Sequence, residues 1–279
     1  MRDRAVCPLC ASRNTVHAFA KDGVVYRRCA ACGFRFSGTE VNANFQTSLA
    51  EYPSAYLQYL AADAADERNH EALVSAIRRF GGSLADGSIL DVGCGSGKFV
   101  RFLRSRGIEA YGVEPAEALF DQFLAADESW FFRDVDTAVT ALGGSCPVVI
   151  AVDVVEHVED PVAFLRSLHA VASPGGRVII STPDAGSFVA RALGPRWHHC
   201  NRFHLSLFSE LTLARAAARA NLGIGAVERP GRLRSVGYIA RYVLEFGLRR
   251  ASPGWAARLD GCFIAINLRD TMLVSLLHS

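Results

Sequence analysis

From Ser88 onward the chain alternates strand, glycine-rich turn and helix, and nothing else in it limits the fold as tightly. Ser88-Ile89-Leu90-Asp91-Val92 is an apolar run of strand length. Gly93-Cys94-Gly95-Ser96-Gly97 follows it, and residues 98–106 carry Phe99, Phe102 and Leu103 at helix spacing. Ala110-Tyr111-Gly112-Val113-Glu114 is a second strand, with Pro115 placed to open the next helix in its first turn. A short third strand is expected at Trp130-Phe131-Phe132. The fourth, Val148-Val149-Ile150-Ala151-Val152, is a continuous apolar run of the kind a buried parallel strand needs. The fifth, Arg177-Val178-Ile179-Ile180-Ser181, follows the turn Pro174-Gly175-Gly176. This spacing predicts an α/β fold, a mostly parallel sheet covered by helices on both faces.

The chain has 279 residues, and at roughly 150 per domain that suggests one large domain and a smaller unit. Residues 1–38 form a short cysteine-bearing piece. Residues 39–84 read as a helical linker or cap, with Tyr56, Leu57 and Leu60, then Leu73, Ile77 and Phe80, at helix spacing. Residues 85–279 form the large domain. Within it, Ser209 to Asn221 reads as a capped helix, Gly225 to Glu228 as a strand and Asp270 to Leu277 as a terminal strand. Ile239, Tyr242, Val243 and Phe246 mark an amphipathic helix in an insertion at about residues 234–265, expected to cover a sheet edge or form a homodimer face.

Lys and Arg number 30 against 28 Asp and Glu, a net charge of +2, which argues against holding nucleic acid by bulk charge. No apolar run is long enough to span a membrane, and the N-terminus lacks the apolar stretch of a signal peptide, so the cytoplasm is the expected compartment. There, cysteines are reduced thiols or metal ligands. Four of the eight lie in the first 32 residues, as Cys7-x-x-Cys10 and Cys29-x-x-Cys32, with 18 residues between the pairs. Number and spacing suit a tetrahedral zinc held by four thiolates. The alternative is four unligated thiols in a segment with almost no core. With every ligand position filled by protein, the zinc is expected to be structural.

The glycine turn follows the pattern Gly-x-Gly-x-Gly. It is not a Walker loop, since Val92 and Phe99 stand where that motif needs Gly and Ser/Thr. Glycines at the carboxyl end of a strand let backbone approach a ligand closely. Asp91 would repel a pyrophosphate but suits a ligand carrying ammonium or sulfonium charge. Glu114, 19 residues after Gly95, can accept hydrogen bonds from ribose hydroxyls. Together the two acids favour S-adenosylmethionine (SAM) over NAD.

Four segments in order, DVGCGSG, YGVEP, VDVVEHVEDP and SPGGRVIISTPD, resemble those of a class I SAM-dependent methyltransferase with an N-terminal zinc ribbon. The resemblance implies a Rossmann-like sheet of seven strands. It places Asp91, Gly93 and Gly95 along the methionine part of SAM and Glu114 on the ribose. Asp134 matches the acid that contacts the adenine amine, although Asp136 competes for that role. Asp153 is expected at the boundary between cofactor and substrate. His157, in Val-Glu-His-Val, is a reserve base or a helix-capping residue. Trp197-His198-His199-Cys200-Asn201-Arg202-Phe203-His204 falls where such enzymes carry a substrate lid, here about residues 185–208. Leu207-Phe208-Ser209 resembles the segment that re-enters the core in ubiquinone-type O-methyltransferases, and His204 matches a histidine of many relatives. His198, His199, Cys200 and His204 could also form a second metal site.

The implied activity is methyl transfer to a small molecule, with His204 as general base and a sugar, phenol or polyketide hydroxyl as acceptor. Carbon methylation of a nucleotide-linked sugar is the nearest alternative. An RNA methyltransferase and an inactive zinc-ribbon interaction module are the others.

Overall fold

The computed structural model describes residues 5–39, 65–82, 87–127, 129–143, 146–242, 244 and 254–278. The helical expectation over 45–64, and Val243 and Phe246 of the expected amphipathic helix, lie outside the described residues.

Three strands open the chain, β1 (Thr15–Lys21), β2 (Val24–Cys29) and β3 (Arg35–Ser37), paired antiparallel. Helix α1 (Asp66–Arg79) follows, with acids in its first turn and arginines in its last, as the helix dipole favours. The central unit then runs β4 (Ile89–Val92), α2 (Lys98–Ser105), β5 (Ala110–Val113), a short α3 (Glu117–Leu119), β6 (Phe131–Phe132), α4 (Val135–Ala141), β7 (Cys146–Val152), α5 (Pro161–Val171) and β8 (Ala172–Pro183). After it come α6 (Phe188–Leu193), β9 (Ser206–Leu207), α7 (Glu210–Arg219), β10 (Leu222–Glu228), β11 (Arg232–Ser235), α8 (Val236–Tyr242), β12 (Phe263–Ile266) and β13 (Thr271–His278).

Seven strands form the main sheet in the order β10-β13-β8-β7-β4-β5-β6. Strands β4 to β8 are mutually parallel, and β13 is antiparallel to both β8 and β10. Side chains alternate between its two faces. Leu90, Val92, Val149, Ala151, Val178 and Ile180 pack toward α5 and α7, while Ile89, Val148, Ile150, Ile179 and Leu273 pack toward α1 and α2. Both layers are apolar cores, so the central strands are buried on two sides.

Two details differ from the sequence reading, and a third lay outside it. Pro115 precedes the helix cap, which is Ala116, because the Glu114 carboxylate accepts from the Ala116 N–H and turns the chain first. The insertion is not wholly helical: β11 and β12 pair as a two-stranded stem beneath α8. The cysteine-bearing piece is joined to the large domain through a shared sheet. β3 pairs with β9, so the first sheet takes its fourth strand from the large domain.

Candidate active site and metal centre

The strand β4 ends in Asp91-Val92, and the loop beyond it turns sharply. Gly93, Gly95 and Gly97 all adopt positive φ, at 80°, 58° and 73°. Two of them also leave no room for a side chain. A Cβ on Gly93 would lie 2.6 Å from Val154 Cγ2, and one on Gly97 would lie 2.6 Å from Phe131 Cζ. Gly97 then caps α2. Glu114, just past the neighbouring β5, spans the loop: one carboxylate oxygen accepts from the Gly95 N–H and the other from the Ala116 N–H, each at 2.9 Å. The expected ribose ligand is thus also the brace that fixes the loop's shape.

Asp91 is buried, and its pKa is pushed up to about 7, first by burial and then by the charge of Glu114. Burial raises the Glu114 pKa too, against the two backbone N–H groups that favour its charge. A buried, uncompensated acid beside a second acid calls for a cation. The ammonium of an amino-acid ligand meets that requirement, and backbone N–H groups with a braced glycine loop meet the rest. SAM therefore fits this cradle, with Asp91, Gly93, Gly95 and Glu114 as the residues that would hold it. Asp134 stands exposed and caps α4, both its oxygens accepting from Thr137. Contact with an adenine amine would have to share those oxygens.

At the end of β7, beside this loop, Asp153 takes a positive φ of 56°. Its carboxylate accepts from Ser181 Oγ at 2.5 Å and from the Arg232 guanidinium at 2.6 Å. Burial alone would raise its pKa. The Arg232 charge overrides that, helped by the bonds from Ser181 and Arg232, and carries it down to about 2. Arg232, from the insertion stem, was not signalled by any motif. The next turn, in the Asp153-Val154-Val155-Glu156-His157 segment, brings Glu156 and His157 inward. Thr182 Oγ1 donates to Glu156 at 2.9 Å, and burial with the charge of Asp153 keeps this carboxyl well above the usual carboxylate range.

His157 Nδ1 lies 2.9 Å from the Phe203 carbonyl, and its ring meets that of His204 edge-on at 4.8 Å. The His204 ring in turn stacks on His199 at 5.6 Å. All three imidazoles have lowered pKa values, chiefly through burial. For His199 the value is about 4, with His198 adding to the effect, and for His204 the neighbouring His157 and His199 add to it. Burial thus favours the neutral imidazole, the form that can accept a proton. His204 is buried, and among the described residues its Nδ1 has no hydrogen-bond partner.

The lid histidines do not form one site. His198 and His199 converge with Asp270, whereas His204 joins Glu156 and His157. Cys200 is buried in the apolar cluster of Trp197, and Trp197 Nε1 donates to Asp270 at 2.9 Å. An open depression lined by Gly87, Ser88, Glu109 and Tyr111 lies at the opposite, amino end of the strands, away from these groups.

In the first sheet, Cys7 Sγ is 3.6 Å from Cys32 Sγ, and Cys10 Sγ is 3.5 Å from Cys29 Sγ. All four sulfurs lie within 4.8 Å of one another and none is in a disulfide. A tetrahedron with Zn–S bonds of about 2.3 Å has edges of about 3.8 Å, so the four thiols are already spaced for zinc.

Comparison with known proteins agrees with both halves. Residues 65–226, more than half of the chain, match the family described as "Methyltransferase domain", and the chain belongs to it. Residues 3–55 match the family described as "Probable metal-binding protein (DUF2387)". The ubiquinone biosynthesis O-methyltransferase of Pseudomonas paraeruginosa is 31% identical over 109 residues, 36% of this chain and 45% of its own length. That of Cereibacter sphaeroides is 33% identical over 116 residues, 39% and 47% of the two chains. The chain thus spans about half the length of the curated relatives it matches. Magnesium protoporphyrin IX methyltransferase from Synechocystis PCC 6803, with bound S-adenosylhomocysteine (SAH), superposes with a TM-score of 0.52 at 14% identity. That match covers 84% of this chain and 100% of the other, a likeness of fold. The chain carries a methyltransferase domain, preceded by a module whose four cysteines are spaced to hold a metal ion. No helix among the described residues is long and apolar enough to cross a membrane.

Proposed function

We propose that the chain methylates a hydroxyl oxygen of a small molecule lodged between the carboxyl ends of β4 and β7 and the 197–204 segment. The observation that carries this reading is His204: a buried imidazole whose Nδ1 has no hydrogen-bond partner among the described residues and which feels the charge of Asp153. When bound, SAM supplies a methyl carbon already activated by its sulfonium. What remains for the chain is alignment, exclusion of water and removal of the acceptor proton.

Asp91 holds the ammonium end, Glu114 the ribose and the glycine loop the backbone of the ligand. Asp153, kept ionised by Arg232, places a negative charge beside the site and stabilises the imidazolium that forms. His204 accepts the acceptor's hydroxyl proton at Nδ1, which leaves that oxygen free to attack an activated methyl group. His157 orients His204 through ring contact and through the Phe203 carbonyl. The +2 net charge and the O-methyltransferase relatives support a small hydroxylated acceptor over RNA.

The test measures labelled-methyl transfer from SAM to catechols, sugar hydroxyls and small RNA, using wild type and His204→Gln. The reading requires transfer to a hydroxyl compound that falls about 100-fold or more in the variant, with SAH affinity within about twofold. Transfer to RNA alone, or full turnover by His204→Gln, would overturn it.

A further inference from the structure

The zinc module meets the large domain at the segment that carries His204. Backbone carbonyls in the turn of residues 201–204 are satisfied from two sides. On the side of the large domain, His157 Nδ1 takes the Phe203 carbonyl. On the side of the zinc module, the Tyr26 hydroxyl is shared between the carbonyls of Asn201, at 2.5 Å, and His204, at 3.1 Å. Tyr26 is fully buried, its ring stacked on Phe19 at 4.7 Å, and it precedes the zinc ligand Cys29 by three residues on the same strand, β2. The module adds further ties. Ser37 N–H donates to the Leu205 carbonyl, Phe36 pairs with Ser206, and Lys21 Nζ donates to the Trp197 carbonyl at 3.1 Å. Phe34 packs on Phe208 at 5.0 Å, and Arg215 donates to the carbonyl of Cys32, itself a ligand.

A module of this size has too little core of its own, so a metal and the contacts with the large domain together hold β2 and β3 in place. Buried carbonyls, for their part, demand partners. We propose that Tyr26 is a positioning residue through which the zinc module sets the 201–204 turn, and with it the orientation of the His204 imidazole. The module thus forms the back wall of the acceptor side of the active site. The idea rests on the reading of His204 given above, but its test needs no acceptor.

Tyr26→Phe removes the hydroxyl and keeps the ring. Protein labelled with [15N]histidine is compared with wild type by NMR of the imidazole nitrogens, and amide hydrogen exchange is followed by mass spectrometry. Zinc content and SAH affinity are measured alongside. The proposal expects one zinc per chain and SAH affinity within about twofold of wild type. It also expects displaced His204 resonances, an unmoved His169, and exchange in residues 201–207 faster by about tenfold or more with none gained in residues 91–114. Unmoved His204 resonances with unchanged exchange would overturn it, as would loosening spread equally over both segments.

Should Tyr26→Phe shed its zinc, Lys21→Met cuts the module's tie to the Trp197 carbonyl from the edge. It must then quicken exchange in residues 197–201 while leaving 91–114 alone; unchanged exchange there overturns the proposal. A failed methyl-transfer test of His204→Gln would remove the proton-accepting role and the link to an acceptor site, whereas these readouts test separately whether Tyr26 positions the turn.

Discussion

Asp91→Asn should make the ligand-free protein more stable and nearly unable to bind its cofactor. The carboxyl has a usual pKa of 3.8 and stands at about 7 in the folded chain, raised by burial and by Glu114. For an acid raised in this way the folded state resists ionisation. The contribution of Asp91 to stability is therefore most favourable below pH 3.8, where both states are protonated, and declines as pH rises from there to about 7. The gap corresponds to roughly 4 kcal/mol at pH 8. Asn keeps the shape and has no charge to desolvate, so the variant should gain up to about 4 kcal/mol at pH 8, on the order of 10 °C in melting temperature. The gain should shrink as pH falls and vanish below about pH 4. Losing the charge that faces the ligand ammonium should weaken SAH binding by at least about thirtyfold. Urea titrations of both zinc-loaded proteins at pH 5, 6.5 and 8, with calorimetric SAH titrations, read both effects. A variant no more stable than wild type at pH 8 would mean that Asp91 is compensated within the chain and is not awaiting a cation.

Further outcomes follow from the same geometry. Arg232→Met removes the partner that holds the Asp153 pKa at about 2. Because that pKa is depressed, the pair stabilises above pH 3.8 and the effect is lost as pH falls through 2. At pH 7 the loss should be about 1–2 kcal/mol after solvent screening, read by urea denaturation. Gly97→Ala forces a left-handed φ on alanine and drives its Cβ into Phe131, so it should lose about 2–3 kcal/mol and most SAH affinity, read by thermal melting and calorimetry. Removing zinc with a chelator should lower the melting temperature and loosen the packing of Phe34 against Phe208, reversibly on adding zinc back. Near-UV circular dichroism follows that change, and an unaltered melt after complete metal loss would contradict a structural zinc.

The features legible in the sequence are those whose partners lie close along the chain. Two Cys-x-x-Cys knuckles, a strand followed by its own glycine turn, and apolar runs at β4, β5, β7 and β8 each announce themselves within a dozen residues. What escaped notice depends on contacts between distant segments. Arg232 reaches Asp153 across 79 residues, and the Tyr26 hydroxyl reaches the Asn201 carbonyl across 175. Neither sits in a motif, since an arginine in Gly231-Arg232-Leu233 or a tyrosine within Val24-Val25-Tyr26 reads as ordinary strand. The β11–β12 stem was hidden because Ile264 and Ile266 are exposed, and the helix expected in the insertion rested on Ile239, Tyr242, Val243 and Phe246 instead. Glu156 was visible only as part of its motif, and only the fold shows it buried against Thr182.

The most direct test of the account is native mass spectrometry of the purified chain, alone and with SAH. The account predicts one zinc retained without added metal and one SAH bound per chain, with SAH binding lost in Asp91→Asn and zinc kept. A chain carrying zinc but taking up no SAH at any concentration would contradict it.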